Sequence, residues 1–449
     1  MQNPRNQLAD KICLFTPDLS RLNSNQKKVL NLLVEAGKLI VPIYSLQENH
    51  KYPGAHFYPV NIKVGELEKA AEKNPEIYSP YAVVERVDGK LMTVPYHIKY
   101  EKLLKPVSEK LLQAAMTTEN KEFAKRLIKQ ADSLLDGSYD GAQAYWMSMK
   151  PYIIDINIGP VERYNDKLLF IKTSYQCWVG IMDVPQTKRF STYKKIILSA
   201  RRQVLMSSEK VDYYDKVQAR IEDVVLLSGF KAVNKPVGTN LPNSVDMMDK
   251  YGSEITLFKQ NNKLRHKDNL EVFKRLFSLS FRKQFTDKDL EEGSLYSSAL
   301  HELAHTYLRY RDSESRLGDM FPVIDELAAT VMGIRMCGSL LLKNVVSEKQ
   351  LETIMLAYLA RSFHNVLNEK NSKSKLHYTV GGAIFINYLF ESGAIQEVGG
   401  ISWPNFNKMF LAINELADIL ERLLSMGYRN DAVFFIKRYG NVENLQRFR

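Results

Sequence analysis

Two histidines one helical turn apart are the residues of this sequence best suited to bind a metal ion. Residues 301–305 read His-Glu-Leu-Ala-His, and no Pro or Gly interrupts residues 294–310. Side chains at positions i and i+4 of a helix share a face, so both rings could reach one Zn²⁺ at about 2.0–2.1 Å. Glu302 lies about 100° further round the helix, where its carboxylate could act as general base on a water molecule. The spacing of His301, Glu302 and His305 therefore predicts a zinc-dependent hydrolase with one zinc per chain.

A catalytic zinc site needs a third protein ligand, and the following helix offers one. Pro322 is a suitable first-turn residue for a helix that continues to about residue 342. One stripe of this helix carries a carboxylate beside small side chains that would let it approach a neighbouring backbone closely. The stripe consists of Glu326, Ala329, Gly333 and Cys337. Glu326 is the predicted third ligand, and Asp325, which points off the stripe, is the rival.

Several segments that follow one another along the chain, together with this zinc motif, resemble the dipeptidyl-peptidase III family and its shorter bacterial zinc-hydrolase relatives. They are spread from about residue 15 to residue 440. The segments are 18–22 (Asp-Leu-Ser-Arg-Leu), 56–59 (His-Phe-Tyr-Pro), 155–162 (Asp-Ile-Asn-Ile-Gly-Pro-Val-Glu), 238–243 (Gly-Thr-Asn-Leu-Pro-Asn), 251–253 (Tyr-Gly-Ser), 325–329 (Asp-Glu-Leu-Ala-Ala) and 376–395. The resemblance implies a two-lobed metallopeptidase with a helical zinc-binding lobe, a mixed α/β lobe that holds the peptide, and a cleft between them.

The resemblance also implies four residues that act on the substrate. Asp155 matches an acidic residue that binds the free amino terminus of the peptide, and Asn240 and Asn243 match two asparagines that hold its backbone. His377 matches a histidine near the transition state. Each has a structural alternative: Asp155 as a strand-end carboxylate, the two asparagines as turn or capping residues, and His377 as a helix-start histidine without a ligand.

Three features depart from the pattern of these peptidases. The zinc motif has the plain five-residue spacing, whereas the peptidases usually carry one more residue between the histidines. Asn157 stands where a tyrosine helps to stabilise the tetrahedral intermediate, and Thr330 stands where an acidic residue follows the zinc glutamate. The Nudix box of some relatives is absent from the sequence. These departures motivate a second hypothesis, a non-catalytic zinc-containing module that binds peptides or proteins.

The pattern of apolar residues predicts an α+β fold that is mainly helical. Helical periodicity covers residues 25–47 and 98–136, and Asp-Gly between two apolar runs predicts a hairpin over residues 80–95. Strand-like runs occur at residues 168–172 and 178–182. After about residue 268 the periodicity is almost entirely helical.

The same pattern predicts two lobes that the chain enters more than once. Residues 1–185 would form the mixed lobe, to which residues 223–265 return. Residues 186–222 and 266–449 would form the helical, zinc-binding lobe.

Composition limits the remaining function classes. The formal net charge is +11, from 62 Lys and Arg against 51 Asp and Glu, but the surplus is spread thinly and accompanies no RNA-binding motif. No apolar run reaches the roughly 18 residues of a membrane span, and three widely spaced cysteines cannot form a disulfide framework. We expect a cytoplasmic protein whose partner is a peptide substrate, without nucleic-acid or membrane binding.

Overall fold

The computed structural model describes residues 10–202, 216–242, 245–308, 310, 312–368, 376–397 and 404–448. It is mainly helical, with 64% of residues in helices. The strands are β1 (Ile12–Leu14), β2 (Ala82–Val87), β3 (Lys90–Pro95), β4 (Ile154–Glu162), β5 (Ser174–Met182), β6 (Gln218–Gly229), β7 (Gly238–Leu241) and β8 (Glu254–Phe258). The helices are α1 (Ser24–Leu39), α2 (Val41–Gln47), α3 (Val64–Ala71), α4 (Tyr96–Lys99), α5 (Glu101–Thr117), α6 (Lys121–Asp136), α7 (Tyr139–Ser148), α8 (Val184–Arg202), α9 (Phe230–Asn234), α10 (Val245–Tyr251), α11 (Lys259–Leu276), α12 (Leu279–Arg282), α13 (Asp287–Tyr307), α14 (Ser313–Leu317), α15 (Phe321–Leu342), α16 (Glu348–Asn368), α17 (Leu376–Glu391), α18 (Phe406–Met426) and α19 (Arg429–Tyr439).

The chain forms two compact units, and each contains separate stretches of sequence. The first comprises Met1–Val184, Ile221–Pro236 and Pro242–Tyr251, and the second comprises Pro185–Arg220, Val237–Leu241 and Gly252–Arg449.

The first unit combines an antiparallel sheet with packed helices. Strand β5 pairs with β4 on one side and with β6 on the other, and β1 also pairs with β6. Helix α5 packs against α1 and against α6. The buried apolar residues of these three helices join those of β4 and β5 in one core. The predicted hairpin is confirmed as β2 and β3: Asp88 and Gly89 have φ angles of 48° and 77°, as a tight primed turn requires.

The second unit is mainly helical and carries the His-Glu-Leu-Ala-His motif on α13. Helix α13 packs against α15 and α16, and the antiparallel pair of β7 and β8 also contacts α13. The side chain of Thr286 caps the first turn of α13 together with Asp289, while Pro322 occupies the first turn of α15 as predicted. These two helices therefore begin where the sequence signals place them.

Two expectations differ from the structure. Residues 168–172 form a turn rather than a strand, because the carboxylate of Asp166 accepts hydrogen bonds from the backbone of Leu168, Leu169, Ile171 and Lys172 and wraps the chain around itself. The returning segment 223–265 is also divided. Residues 237–241 and 252–265 belong to the second unit, since β7 and β8 pack on α13.

Contrary to the expectation from the sequence, one stretch is long and apolar enough to span a membrane by length and composition alone. It runs over Ser24–Gln47 and covers α1 and α2, and half of its most apolar 18-residue window is buried. Its apolar residues Val29, Leu30 and Leu33 belong to the core of the first unit, which is the arrangement of a core helix.

Candidate metal centre

Close approach of α13 and α15 brings the predicted ligands together. Gly333 of α15 lies so near to α13 that a Cβ atom at this position would be 2.9 Å from the carbonyl carbon of Leu300 and 3.0 Å from the backbone nitrogen of His301. Only a glycine allows this separation without moving a backbone. The small-residue stripe predicted from the sequence therefore lies at the contact between the two helices, with Glu326 on it.

Three side-chain atoms converge at this contact. The Nε2 atoms of His301 and His305 are 3.1 Å apart. Glu326 Oε2 is 3.3 Å from Nε2 of His301 and 3.8 Å from Nε2 of His305. Tetrahedral zinc with bonds of about 2.0–2.1 Å separates its ligand atoms by about 3.3–3.4 Å. The three separations therefore suit a single ion.

The donor set also fits zinc in its chemistry. Glu326 Oε2 is buried, and no group in the described part of the chain gives it a well-formed hydrogen bond. Buried carboxylate oxygens are nearly always paired, so an oxygen in this state is available to a cation. Two imidazoles, one carboxylate and an open position form the ligand set of many catalytic zinc sites.

The second nitrogen of each histidine has its own partner. Nδ1 of His301 lies 2.8 Å from the hydroxyl oxygen of Thr330. Nδ1 of His305 lies 3.3 Å from a carboxylate oxygen of Asp325. Asp325, the rival ligand, thus contacts the nitrogen of His305 that faces away from the three converging atoms. Outer partners of this kind fix the ring orientation and the tautomer of a metal-binding histidine.

The charges of the cluster reinforce one another. Burial would lower the pKa of His305, but the charge and hydrogen bond of Asp325, together with the charges of Glu326 and Glu302, raise the pKa to about 9. Burial would raise the pKa of the Glu326 carboxyl, but its contact with His301 and the charges of both histidines lower the pKa to about 2. The charge of His377 contributes to the same effect, so this ring lies within electrostatic reach of Glu326. The carboxylate is therefore ionised, as metal ligation requires.

Glu302 faces the first residue of strand β7. A Cβ atom at Gly238 would lie 3.3 Å from both Cγ and Oε1 of Glu302, so the absence of a side chain leaves room beside this carboxylate. Two residues further along, Asn240 Nδ2 donates to the carbonyl oxygen of Glu302 at 3.3 Å and to the hydroxyl of Thr306 at 3.2 Å. Asn240 thus fastens β7 to α13. Its contact with a substrate stays a prediction, and Asn243 lies outside the described residues.

Asp155 belongs to the first unit and is fully buried on strand β4. Its carboxylate forms an ion pair with Arg126 and accepts a hydrogen bond from Trp146 Nε1 at 3.3 Å. Arg126 also donates to the carbonyl oxygen of Ile156. An internal guanidinium therefore contacts Oδ1 of the carboxylate that was predicted to bind the amino terminus of a peptide, and the substrate role of Asp155 stays a prediction beside its structural alternative.

The sequence analysis missed a polar face of α11 that points into the second unit. On this helix Arg265 lies close enough to Glu302 and Glu326 for their charges to raise its pKa, against the lowering caused by burial and by Arg361. Arg265 lies among polar residues at helical spacing, where a core-facing helix would normally carry apolar ones. The buried members are Asn261, Asn262, His266 and Asn269. These polar residues at helical spacing were the signal in the sequence that could have indicated this face.

The comparison with protein families identifies the chain. The profile described as Peptidase family M49 matches residues 60–303, just over half of the sequence. The chain belongs to peptidase family M49. The matched region includes His301 and Glu302 and ends two residues before His305. This M49 chain therefore belongs to a family of metallopeptidases, which implies a metal ion.

Solved structures share the fold of this M49 chain along its length. The structure of DPP III from Caldithrix abyssi has a TM-score of 0.86 at 19% identity and covers 99% of this chain and 96% of that one. The structure of dipeptidyl-peptidase III from Corallococcus sp. strain EGB has a TM-score of 0.78 at 18% identity and covers 98% and 94%. The resemblance to the dipeptidyl-peptidase III family and the two-lobed, mainly helical fold are thereby confirmed.

A curated relative is Nudix hydrolase 3 of Arabidopsis thaliana. It is 23% identical over 427 residues, which include 90% of this chain. The chain spans only 53% of the length of that relative.

Gly333→Ala is expected to destabilise the second unit and weaken metal binding together. The new methyl group would clash with backbone atoms of α13, which cannot change rotamer as a side chain can. Helix α15, and Glu326 with it, would therefore have to move away from α13. Overpacking of this kind costs about 1–3 kcal/mol. Urea unfolding of the metal-free protein and zinc titration measure the two effects.

Gly338→Ala on the same helix is the matched control. Its methyl group would meet only the edge of the Phe410 ring, at 3.2 Å, so the control should keep its affinity for zinc. Unchanged stability and zinc affinity in Gly333→Ala would contradict the role given to this helix contact.

Proposed function

We propose that this M49 chain is a zinc-dependent metallopeptidase that cleaves short peptides near a free amino terminus. His301, His305 and Glu326 would hold one zinc ion, and Glu302 would be the general base. The observation that carries the proposal is the convergence of three ligand atoms within 4.8 Å of one another, two from α13, which also carries Glu302, and one from α15. We also propose that the protein acts in the cytoplasm, in keeping with its three free cysteines.

The side chains around the centre suit peptide-bond hydrolysis. A bound zinc ion would polarise the scissile carbonyl and acidify a water molecule. Glu302, one residue after the first ligand, would take the proton of the attacking water and return it to the leaving amine. His377 would stabilise the developing negative charge on the carbonyl oxygen. It would take over the task of the tyrosine that the family resemblance implies, because this chain has Asn157 at the position of that tyrosine.

Strand β7 supports a peptide as the substrate. It pairs with β8 along one edge, and within the described residues no further strand pairs with its other edge. An extended peptide can add to such an edge through backbone hydrogen bonds. Because Gly238 at the start of β7 leaves room beside Glu302, a peptide bound along this strand would present a backbone amide near the general base.

We expect the purified protein to contain one zinc per chain and to hydrolyse a short peptide with a free amino terminus faster than its N-acetylated form. The solved relatives named dipeptidyl-peptidase III support a requirement for this terminus. A charge-assisted hydrogen bond to an ammonium group contributes about 1.5–3 kcal/mol, which corresponds to roughly ten- to a hundredfold in kcat/KM. Metal analysis and kcat/KM for one peptide pair test the proposal. Stoichiometric zinc with peptide binding but no cleavage would favour the non-catalytic binding module.

Asp155→Asn in the same assay decides whether Asp155 reads the amino terminus. Because the variant leaves the buried guanidinium of Arg126 without a carboxylate to balance its charge, we expect a loss of about 3 kcal/mol in the free energy of unfolding and an unchanged ratio between the two peptides. Asp88→Asn, in the exposed hairpin turn, is the matched control. Equal rates for both peptides in an otherwise stable Asp155→Asn would restore the substrate role.

A further inference from the structure

The two histidines of the candidate metal centre differ in the partner of their second ring nitrogen. His305 contacts the charged carboxylate of Asp325, whereas His301 contacts the neutral hydroxyl of Thr330, and the second contact is the shorter at 2.8 Å against 3.3 Å. Thr330 is also the position at which the sequence departs from its relatives. The departure therefore falls on a residue that touches a predicted zinc ligand.

The hydrogen bonds of Thr330 determine which nitrogen of His301 carries the proton. The hydroxyl group donates to the carbonyl oxygen of Glu326 at 3.2 Å, one turn earlier on α15. Its single proton is then used, so the oxygen can only accept from Nδ1–H of His301. His301 therefore carries a proton on Nδ1, and Nε2 is the nitrogen that faces the other two ligand atoms.

This arrangement links the third ligand to the first. Thr330 bonds to the backbone of Glu326 and to the ring of His301, so one buried hydroxyl connects α15 to the ring that α13 contributes. Thr330 is only 5% exposed, so water competes little for either bond. The hydroxyl orients His301 without adding a negative charge to the centre.

We propose that Thr330 is a positioning residue that sets the affinity of this centre for zinc through the orientation and tautomer of His301. The inference depends on the proposed zinc site. It gives Thr330, which stands at the position of an acidic residue in the family pattern, a function in metal binding. Partners of metal-binding histidines change metal affinity by about 10–100-fold when removed. A neutral partner supplies the orientation and leaves Asp325 as the charged outer partner.

Zinc dissociation constants of a matched variant set, measured by chelator competition, test the proposal. Thr330→Val keeps the shape and loses the hydroxyl, so it should bind zinc about 10–100-fold more weakly than the parent. Thr330→Ser restores the hydroxyl and should return the dissociation constant to within a few-fold of the parent value. Asp325→Asn reports the effect of the charged partner on His305 in the same assay.

The readouts distinguish positioning from a structural role. A structural role predicts a lower melting temperature of metal-free Thr330→Val with an unchanged zinc dissociation constant, and this result would overturn the proposal. If Thr330→Val does not fold, Thr330→Ala and Thr330→Ser supply the same comparison. The visible spectrum of the Co²⁺-loaded forms is a second readout, since a rotated His301 ring would change the ligand field in Thr330→Val and leave it unchanged in Thr330→Ser. A parent protein without zinc would refute the proposed function instead.

Discussion

Glu302→Gln is expected to bind zinc and keep the fold while it loses peptide hydrolysis. The variant removes a proton acceptor and leaves His301, His305 and Glu326 untouched. A positioned general base contributes about 10²–10⁴-fold to the rate, so kcat should fall by two to four orders of magnitude while the zinc content stays at one per chain. Steady-state kinetics with metal analysis on the same preparation measure both quantities.

Glu291→Gln provides the matched control for this variant. Glu291 lies on α13 as well, with a side chain 40% exposed and an ion pair to Lys263 at 3.4 Å. Exposed pairs of this kind contribute at most about 1 kcal/mol, so the control should hydrolyse peptides at the rate of the parent. Undiminished turnover of Glu302→Gln would show that another group accepts the proton.

The other charged groups that interact with the centre do not offer a substitute for Glu302. Arg265 is near enough to interact with the charge of Glu302, and His377 interacts with that of Glu326. Neither can replace a carboxylate in the same place, because Arg265 remains protonated near neutral pH and His377 starts a different helix, α17. The general-base hypothesis therefore depends on Glu302 alone.

Local signals in the sequence predicted the helices that carry the centre. The i, i+4 histidines require only a helix, and Pro322 with the stripe through Glu326 and Gly333 requires only that this second helix meets the first. Both conditions follow from spacings within about one or two turns. The structure therefore brings His301, His305 and Glu326 together as the spacing indicated.

Contacts between distant parts of the sequence could not be predicted in this way. Arg126 and Asp155 are 29 residues apart, and nothing in either local pattern announces that the guanidinium occupies the carboxylate. The hydrogen bonds of Asn240 to α13 join residues more than 60 positions apart. Such pairings depend on how whole elements pack, and they are the reason that the substrate residues were harder to assign than the metal ligands.

The loop around Asp166 shows a different limit. Leu168 to Lys172 has the composition of a buried strand, and the side chain that overrides this propensity lies just before it. One carboxylate that accepts four backbone hydrogen bonds satisfies the donors that strand pairing would otherwise satisfy. Propensity describes the apolar run correctly, but the hydrogen-bond partner decides its conformation.

His301→Ala is expected to abolish stoichiometric zinc binding. The variant removes one of three ligand atoms and also leaves the hydroxyl of Thr330 without its ring partner. The zinc affinity should therefore fall by well over the 10–100-fold that loss of an outer partner costs. Metal analysis after gel filtration, with far-UV circular dichroism as the check on folding, measures the result.

Thermal unfolding gives an independent test of the same site. A ligand that binds only the folded state stabilises it by about 2.7 kcal/mol at a hundred times its dissociation constant. Added zinc should therefore raise the melting temperature of the metal-free parent and leave that of His301→Ala unchanged. His50→Ala, which alters a histidine with an 81% exposed side chain, is the control and should respond like the parent. One equivalent of zinc in purified His301→Ala, or an equal thermal response to zinc, would mean that the metal binds elsewhere in the chain.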